Sequence, residues 1–82
     1  MTTPALEAEV AALVARVTRI DPGRLTREAE LDALGLDSVA LIEAIFAIEE
    51  AYDITLPLAA EGGAGLRRFG DLVDQVAGLV AA

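Results

Sequence analysis

The sequence predicts an all-α fold, a small three-to-four helix bundle with a long loop between the first and second helices. Three segments space their apolar residues three and four positions apart, which is the period of a helix that buries one face. No segment shows the alternation of apolar and polar residues that is typical of a half-buried strand. Because a chain of 82 residues has room for one small core, we expect residues 1–82 to form a single domain.

The first helix is predicted to begin at Pro4 and to stop at Asp21-Pro22-Gly23. Thr3 is a favourable N-cap, and proline is favoured at the first helical position. Apolar residues then follow at helical spacing, namely Leu6, Val10, Leu13, Val17 and Ile20. The Asp-Pro-Gly run that comes next is a strong turn signal, so the helix is not expected to continue through it.

The long loop covers residues 24–37 and carries leucines without a sustained period. These are Leu25, Leu31, Leu34 and Leu36. We predict a structured loop that is held to the bundle by its leucines, with a short helical turn over residues 26–30. Gly35 allows the backbone to turn sharply near the end of this loop.

The second helix is predicted from Ser38 to about Ala51, and it presents two different faces. One face is apolar and is expected to enter the core; it consists of Leu41, Ile45, Ile48 and Tyr52. The other face mixes apolar and acidic side chains, and consists of Val39, Glu43, Phe46 and Glu50. We expect this second face to be the functional one.

The closing helix is predicted from Phe69 to Val80. Its apolar side carries Leu72, Val73, Val76, Leu79 and Val80, and Asp71 in the first turn complements the helix dipole. Before it, residues 59–65 include three glycines, each of which disfavours a helix by about 1 kcal/mol relative to alanine. Whether a short third helix forms in this stretch therefore stays open, and the alternative is a turn near Leu66.

The composition excludes several classes of function. The formal charge is −8, and all six basic residues are arginine, so nucleic acid is not an expected partner, whereas a surface rich in Lys or Arg is. An alternative is that the charge only keeps a small protein soluble. Cysteine and histidine are absent, which leaves no Ser-His or Cys-His pair and no thiolate or imidazole ligand. We therefore expect neither catalytic activity nor a metal site.

The sequence also bears on where the protein is found. No apolar run approaches the roughly 20 residues of a membrane-spanning helix. The start Met1-Thr2-Thr3-Pro4 lacks the basic beginning and apolar core of a secretory signal. We therefore expect no membrane span and a cytoplasmic location.

The most informative feature is Ser38, which follows Asp37 where the loop becomes the second helix. A helix N-terminus has backbone N–H groups without intrahelical partners and a partial positive charge, so it suits a phosphorylated side chain. The same position suits a simple cap, since Asp and Ser both accept hydrogen bonds from those N–H groups. The position of Ser38 alone does not separate these two interpretations.

The surrounding residues resemble the acyl carrier protein family. That family has a Gly-x-Asp-Ser-[Leu/Val/Ile] motif, which Gly35-Leu36-Asp37-Ser38-Val39 matches. An acidic helix with a Glu-Glu-x-[Phe/Tyr] pattern follows in the family, and Glu49-Glu50-Ala51-Tyr52 matches it. The next family segment is Ile-x-[Leu/Ile]-Pro, which Ile54-Thr55-Leu56-Pro57 matches. The family usually has a short third helix, from which the glycine-rich stretch departs.

The resemblance implies a role for each part of this region. Ser38 would receive a 4′-phosphopantetheine arm from coenzyme A through a phosphodiester, and Asp37 would support the site or simply cap the helix. The expected partner-binding residues are Val39, Glu43, Phe46, Glu49, Glu50 and Asp53. The expected partners are a phosphopantetheinyl transferase and an acyltransferase, ketosynthase or acyl-activating enzyme with a basic docking patch.

The function that follows from the resemblance is that of a discrete, monomeric acyl carrier protein without catalytic activity. It would hold acyl intermediates as thioesters for fatty-acid or polyketide-type biosynthesis. Two alternatives stay open. A peptidyl or aminoacyl carrier would use the same arm for a different cargo, and an unmodified helical adaptor would keep the fold but use only its acidic face.

Overall fold

The computed structural model describes residues 4–56 and 66–80, and these form the predicted all-α bundle. The helices are α1 (Pro4–Thr18), α2 (Ser38–Tyr52) and α3 (Phe69–Val80), and a 3₁₀ turn at Pro22–Arg24 follows α1. Thr3 and the glycine-rich stretch 59–65 lie outside the described residues. In the part of the chain that is described, no helix is both long enough and apolar enough to cross a membrane.

Helix α1 buries a face that is rotated from the predicted stripe and ends earlier than its turn signal. Val10, Ala11 and Val14 are in the core, whereas Leu6 and Leu13 only pack against its edge. Arg19 adopts a left-handed conformation with φ of 63°, and its N–H donates to the carbonyl of Ala15 at 2.7 Å. The left-handed conformation of Arg19 ends α1 before Asp21-Pro22-Gly23 is reached, and the bond satisfies a carbonyl of the last helical turn.

The four leucines of the long loop are all buried, as predicted. Leu31 organises the second half of the loop, because its carbonyl accepts the N–H groups of both Leu34 and Leu36 at 3.2 Å. The predicted helical turn over residues 26–30 is shorter in the structure: only Arg27 and Glu28 form a turn. Glu30 instead pairs with Arg68 in an isolated antiparallel bridge.

The bridge belongs to a longer antiparallel contact between residues 27–31 and 67–70, called here the crossover pairing. The N–H of Leu31 donates to the carbonyl of Arg67, and the N–H of Phe69 donates to that of Ala29, both at 2.9 Å. The N–H of Gly70 donates to the carbonyl of Arg27 at 3.0 Å. The crossover pairing therefore ties the loop to the start of α3.

Two charged contacts lie beside the crossover pairing. Arg27 reaches both carboxylate oxygens of Asp74 at 2.9 Å and lies 3.9 Å from Glu7, so it links the loop to α3 and α1. The hydrogen bond to Asp74 raises the pKa of Arg27. Asp71 accepts the backbone N–H groups of Arg68 and Arg67, at 3.0 and 3.2 Å, and these bonds lower the pKa of Asp71. Asp71 thus caps the first turn of α3.

Helix α3 matches its predicted bounds and most of its predicted core face. Leu72, Val73 and Val76 are fully buried. Leu79 and Val80 differ from the prediction, since they are 36% and 43% exposed. They lie in the last turn of α3, past Ala77, which is the last buried residue of the described chain.

The two helical glycines of α3 provide a matched test of the crossover pairing. A Cβ at Gly70 would lie 2.9 Å from the carbonyl oxygen of Arg27, whereas a Cβ at Gly78 would meet nothing within 4 Å. We expect Gly70→Ala to lower the free energy of unfolding by about 1–3 kcal/mol, because the paired backbone must shift. Gly78→Ala is expected to be neutral or to stabilise by up to about 1 kcal/mol through helix propensity.

Urea unfolding followed by far-UV circular dichroism measures both variants under the same conditions. Equal stability of the two variants would contradict the close approach of Gly70 to Arg27.

Candidate functional site

The site lies at the start of α2, between two buried leucines. Leu36 and Leu41 are each 6% exposed and anchor the backbone on either side of the junction. Gly35 precedes the junction and has a φ of 79°, a left-handed backbone conformation that residues with a side chain rarely adopt. A Cβ at Gly35 would nevertheless have open space. Backbone conformation, and not crowding, therefore favours glycine at this turn. The turn brings Ser38 to the surface.

Asp37 is the N-cap of α2, and Ser38 is its first helical residue. The backbone of Asp37 is extended, its carboxylate accepts the N–H of Ala40 at 2.8 Å, and its carbonyl accepts the N–H of Leu41 at 2.9 Å. Ser38 is exposed, and its hydroxyl has no hydrogen-bond partner among the described residues. Of the two residues that were candidates for the cap, the structure therefore uses Asp37 and leaves the Ser38 hydroxyl accessible.

The local electrostatics fit an anion carried by Ser38. Leu41 is the residue whose N–H makes the first backbone bond of the helix, to the carbonyl of Asp37. The N–H groups of Ser38 and Val39 come before it, at the open end of the helix. These N–H groups and the helix dipole favour negative charge at this end of α2. The carboxylate of Asp37 is already bonded to the Ala40 N–H, which compensates part of its charge. The residues present therefore fit a phosphodiester on the Ser38 oxygen.

The predicted functional face of α2 is open to solvent. Val39 and Phe46 are large and apolar, and yet they are 66% and 55% exposed. Glu43 and Glu50 are exposed on the same face, since these four residues follow the helical spacing. The opposite face is buried and consists of Leu41, Ala44, Ile45 and Ile48. We call the exposed set of Val39, Glu43, Phe46 and Glu50 the outer face of α2.

Glu49 and Asp53, the other two predicted partner-binding residues, have structural contacts at the end of α2. Glu49 is half-buried, and its Oε2 accepts the N–H of Leu56 at 2.6 Å. Asp53 is exposed and left-handed with φ of 53°, and its N–H donates to the carbonyl of Glu49. Neither contact is predicted by the sequence pattern. The only available signal was the closeness of Glu49 to the helix end, which does not identify an acceptor for a later N–H group.

Tyr52 was predicted to be a core residue and is only half-buried. Its hydroxyl donates to Glu9 Oε1 at 3.1 Å, so it joins the end of α2 to α1. Partial burial, and then this hydrogen bond, raise the pKa of Tyr52. A groove of about 400 Å³ lies beside the contact and is lined by Glu9, Ala12, Leu13, Arg16, Ala51 and Tyr52. Ser38 does not line this groove, so the site is separate from it.

Comparison with known proteins identifies the family to which this region belongs. The model of the phosphopantetheine attachment site matches residues 8–60, which include the whole site. Nodulation protein F of Rhizobium leguminosarum bv. trifolii is 37% identical over 60 residues, which cover 72% of this chain and 65% of that protein. An acyl carrier protein of Syntrophobacter fumaroxidans is 31% identical over 78 residues, which cover 94% of each chain.

A third relative is the meromycolate extension acyl carrier protein of Mycobacterium leprae. It is 34% identical over 70 residues, which cover 84% of this chain and 59% of that protein. The chain thus spans somewhat less than two thirds of both this relative and the nodulation protein. The family model and the relatives agree with the helical bundle and with 4′-phosphopantetheine as the prosthetic group. The chain belongs to the acyl carrier protein family of phosphopantetheine-binding carrier domains.

Proposed function

We propose that Ser38 carries the phosphopantetheine arm and that the chain delivers acyl thioesters to biosynthetic enzymes without catalysing a reaction itself. The observation that supports this most strongly is the division of tasks at the start of α2. Asp37 caps the helix through the Ala40 N–H, and the exposed Ser38 hydroxyl has no partner in the described chain. The Ser38 hydroxyl is therefore not used as the cap and is accessible to a modifying enzyme.

The proposed modification requires little of the chain beyond access to Ser38. The serine oxygen forms a P–O bond to the phosphopantetheinyl phosphorus of coenzyme A, and adenosine 3′,5′-bisphosphate leaves. The hydroxyl proton passes to a base of the transferase, since the described site has no candidate base besides the capping carboxylate of Asp37. The arm supplies the thiol for the acyl thioester, which a chain without cysteine does not have.

The outer face of α2 is the proposed docking surface for the transferase and for the enzymes that load or use the acyl group. The carboxylates of Glu43 and Glu50 have no partners among the described residues, and they flank the exposed ring of Phe46. Acidic groups attract Lys or Arg patches over long range and speed encounter, while adding modest affinity. This combination suits partners that must bind and leave quickly, such as acyltransferases and ketosynthases.

Acyl cargo from fatty-acid or polyketide-type biosynthesis is favoured over aminoacyl cargo. The names of two relatives describe them as acyl carriers, one of them in meromycolate extension. Peptidyl carriers also more often have Gly-Gly-x-Ser at the modification site, where this chain has Gly35-Leu36-Asp37-Ser38. The proposal extends to the class of cargo and not to its length.

Intact-mass analysis tests the attachment site. Incubation of the purified chain with coenzyme A and a broad-specificity phosphopantetheinyl transferase is expected to add one phosphopantetheinyl unit, and Ser38→Ala is expected to add none. Because Asp37 provides the cap, Ser38→Ala is also expected to change the free energy of unfolding by no more than about 0.5 kcal/mol.

Stability measured on the same samples ensures that an unmodified variant is still folded. A folded, initially unmodified wild-type chain that gains no mass would reject the carrier function and favour the unmodified adaptor.

Asp37 can be tested separately as a cap and as a charge. We expect Asp37→Ala to lower the free energy of unfolding by about 0.5–2 kcal/mol, because the Ala40 N–H loses its acceptor. Asp37→Asn keeps an acceptor oxygen and is expected to stay within a few tenths of a kcal/mol of wild type. Urea unfolding gives both values.

The modification rate of the stable Asn variant then separates the two roles. A slower rate at unchanged stability assigns the charge of Asp37 to the transferase step, and an unchanged rate leaves it as a cap. Equal stability of Asp37→Ala and wild type would show that the cap is not formed in solution.

The docking surface predicts a charge effect that depends on position. Glu43→Gln is expected to lower kcat/KM for modification by about two- to fivefold at low salt and to reduce its dependence on salt. Glu28→Gln is the matched control, because it removes the same charge from the exposed loop. Steady-state kinetics at several salt concentrations compare the two. Equal losses in both variants would indicate an effect of net charge and would contradict docking at the outer face.

A further inference from the structure

We infer that Glu49 is a positioning residue whose carboxylate anchors the backbone that follows α2, and that it is not part of the docking surface. The distinction concerns two adjacent acids, Glu49 and Glu50, that the sequence alone does not separate. The docking half of the inference rests on the function proposed above. The anchoring half depends only on the geometry of the helix end.

The first observation is a short, directed contact. Oε2 of Glu49 accepts the N–H of Leu56 at 2.6 Å, in a partly buried environment. Hydrogen bonds to an ionised acceptor are shorter and stronger than those between neutral groups. An N–H group that is shielded from water and has no acceptor is unfavourable, so the carboxylate fills a need that the fold itself creates.

The second observation is that the backbone of Glu49 also takes part in this turn. Its carbonyl accepts the N–H groups of Asp53 and of Ile54, the latter at 3.1 Å. Asp53 is left-handed, and together with these two bonds it gives α2 a Schellman-type ending. Glu49 therefore holds the exit of α2 through its carbonyl and its carboxylate together.

The third observation is the burial of Leu56, the residue whose N–H is bonded to Glu49. Leu56 is only 1% exposed and belongs to the main core, although it lies outside the helices. The chain leaves α2 at the left-handed Asp53, three residues before Leu56. The bond from the Leu56 N–H to Glu49 therefore links the last turn of α2 to the backbone of a core residue.

Glu50 is in a different situation. It is exposed on the outer face, and its carboxylate has no partner among the described residues. A basic patch on a partner enzyme can reach Glu50 without breaking a contact within the chain. A basic patch that bound Glu49 would compete with the Leu56 N–H for the Glu49 carboxylate.

Glutamine substitution separates the two roles, because an amide oxygen keeps the hydrogen-bond acceptor and removes the charge. Amide hydrogen exchange at Leu56, measured by NMR, reports the anchor directly. We expect Glu49→Ala to raise the exchange rate of the Leu56 N–H about tenfold or more, and Glu49→Gln to restore most of the protection. Glu50→Gln is the matched control and is expected to exchange as wild type does.

Transferase kinetics report docking on the same proteins, with coenzyme A as the second substrate. We expect Glu49→Gln to keep the wild-type KM for the carrier within about twofold, and Glu50→Gln to raise it by about two- to fivefold. A KM for Glu49→Gln that rises as much as that for Glu50→Gln would overturn the inference. Leu56 exchange that is as fast in wild type as in Glu49→Ala would overturn it as well.

The two proposals fail in distinguishable ways. If wild type takes up no phosphopantetheine, the carrier function is rejected, and the exchange rates at Leu56 still decide the anchor. If wild type is modified but Glu49→Gln docks poorly, the carrier function stands and the division between Glu49 and Glu50 is rejected.

Discussion

The crossover pairing between residues 27–31 and 67–70 is the constraint on which the site depends. Leu31 connects the crossover pairing to the site. Its N–H donates to the carbonyl of Arg67, and its own carbonyl accepts the N–H groups of Leu34 and Leu36, directly before Asp37. Burial of each loop leucine stabilises the fold by about 1.5–3 kcal/mol, compared with about 0.5–1.5 kcal/mol for each net hydrogen bond. Each buried leucine therefore stabilises the loop more than a single backbone bond does, and the backbone bonds set the register that presents Ser38.

Helix α2 combines a fixed side with an accessible side, which is what a carrier requires. Its core face holds the helix in place through fully buried side chains such as Ala44, Ile45 and Ile48. Its outer face leaves Val39 and Phe46 largely exposed to water, so these two side chains add little hydrophobic stabilisation to the fold. Ser38, the proposed attachment residue, stands at the head of the same helix, so the proposed arm and the proposed docking surface share one element.

The carboxylates of this acidic chain do not form one uniform surface. Asp37, Glu49 and Asp71 accept backbone N–H groups, and Asp74 pairs with Arg27. These groups shape helix ends and hold the loop, whereas Glu43 and Glu50 point to solvent without a partner in the described chain. The 14 acidic residues are therefore not equally free to bind a basic partner.

The sequence by itself determined the helices, the buried leucines and the candidate serine, because helical periodicity and the residues of the Asp-Ser motif are local signals. It left the capping residue undecided and placed Tyr52 in the core, and it did not separate Glu49 from Glu50. Only the tertiary structure decided these points and the crossover pairing. The physical reason is that they depend on groups brought together by packing, such as Arg27 with Gly70, or on which of two adjacent side chains meets a backbone N–H group.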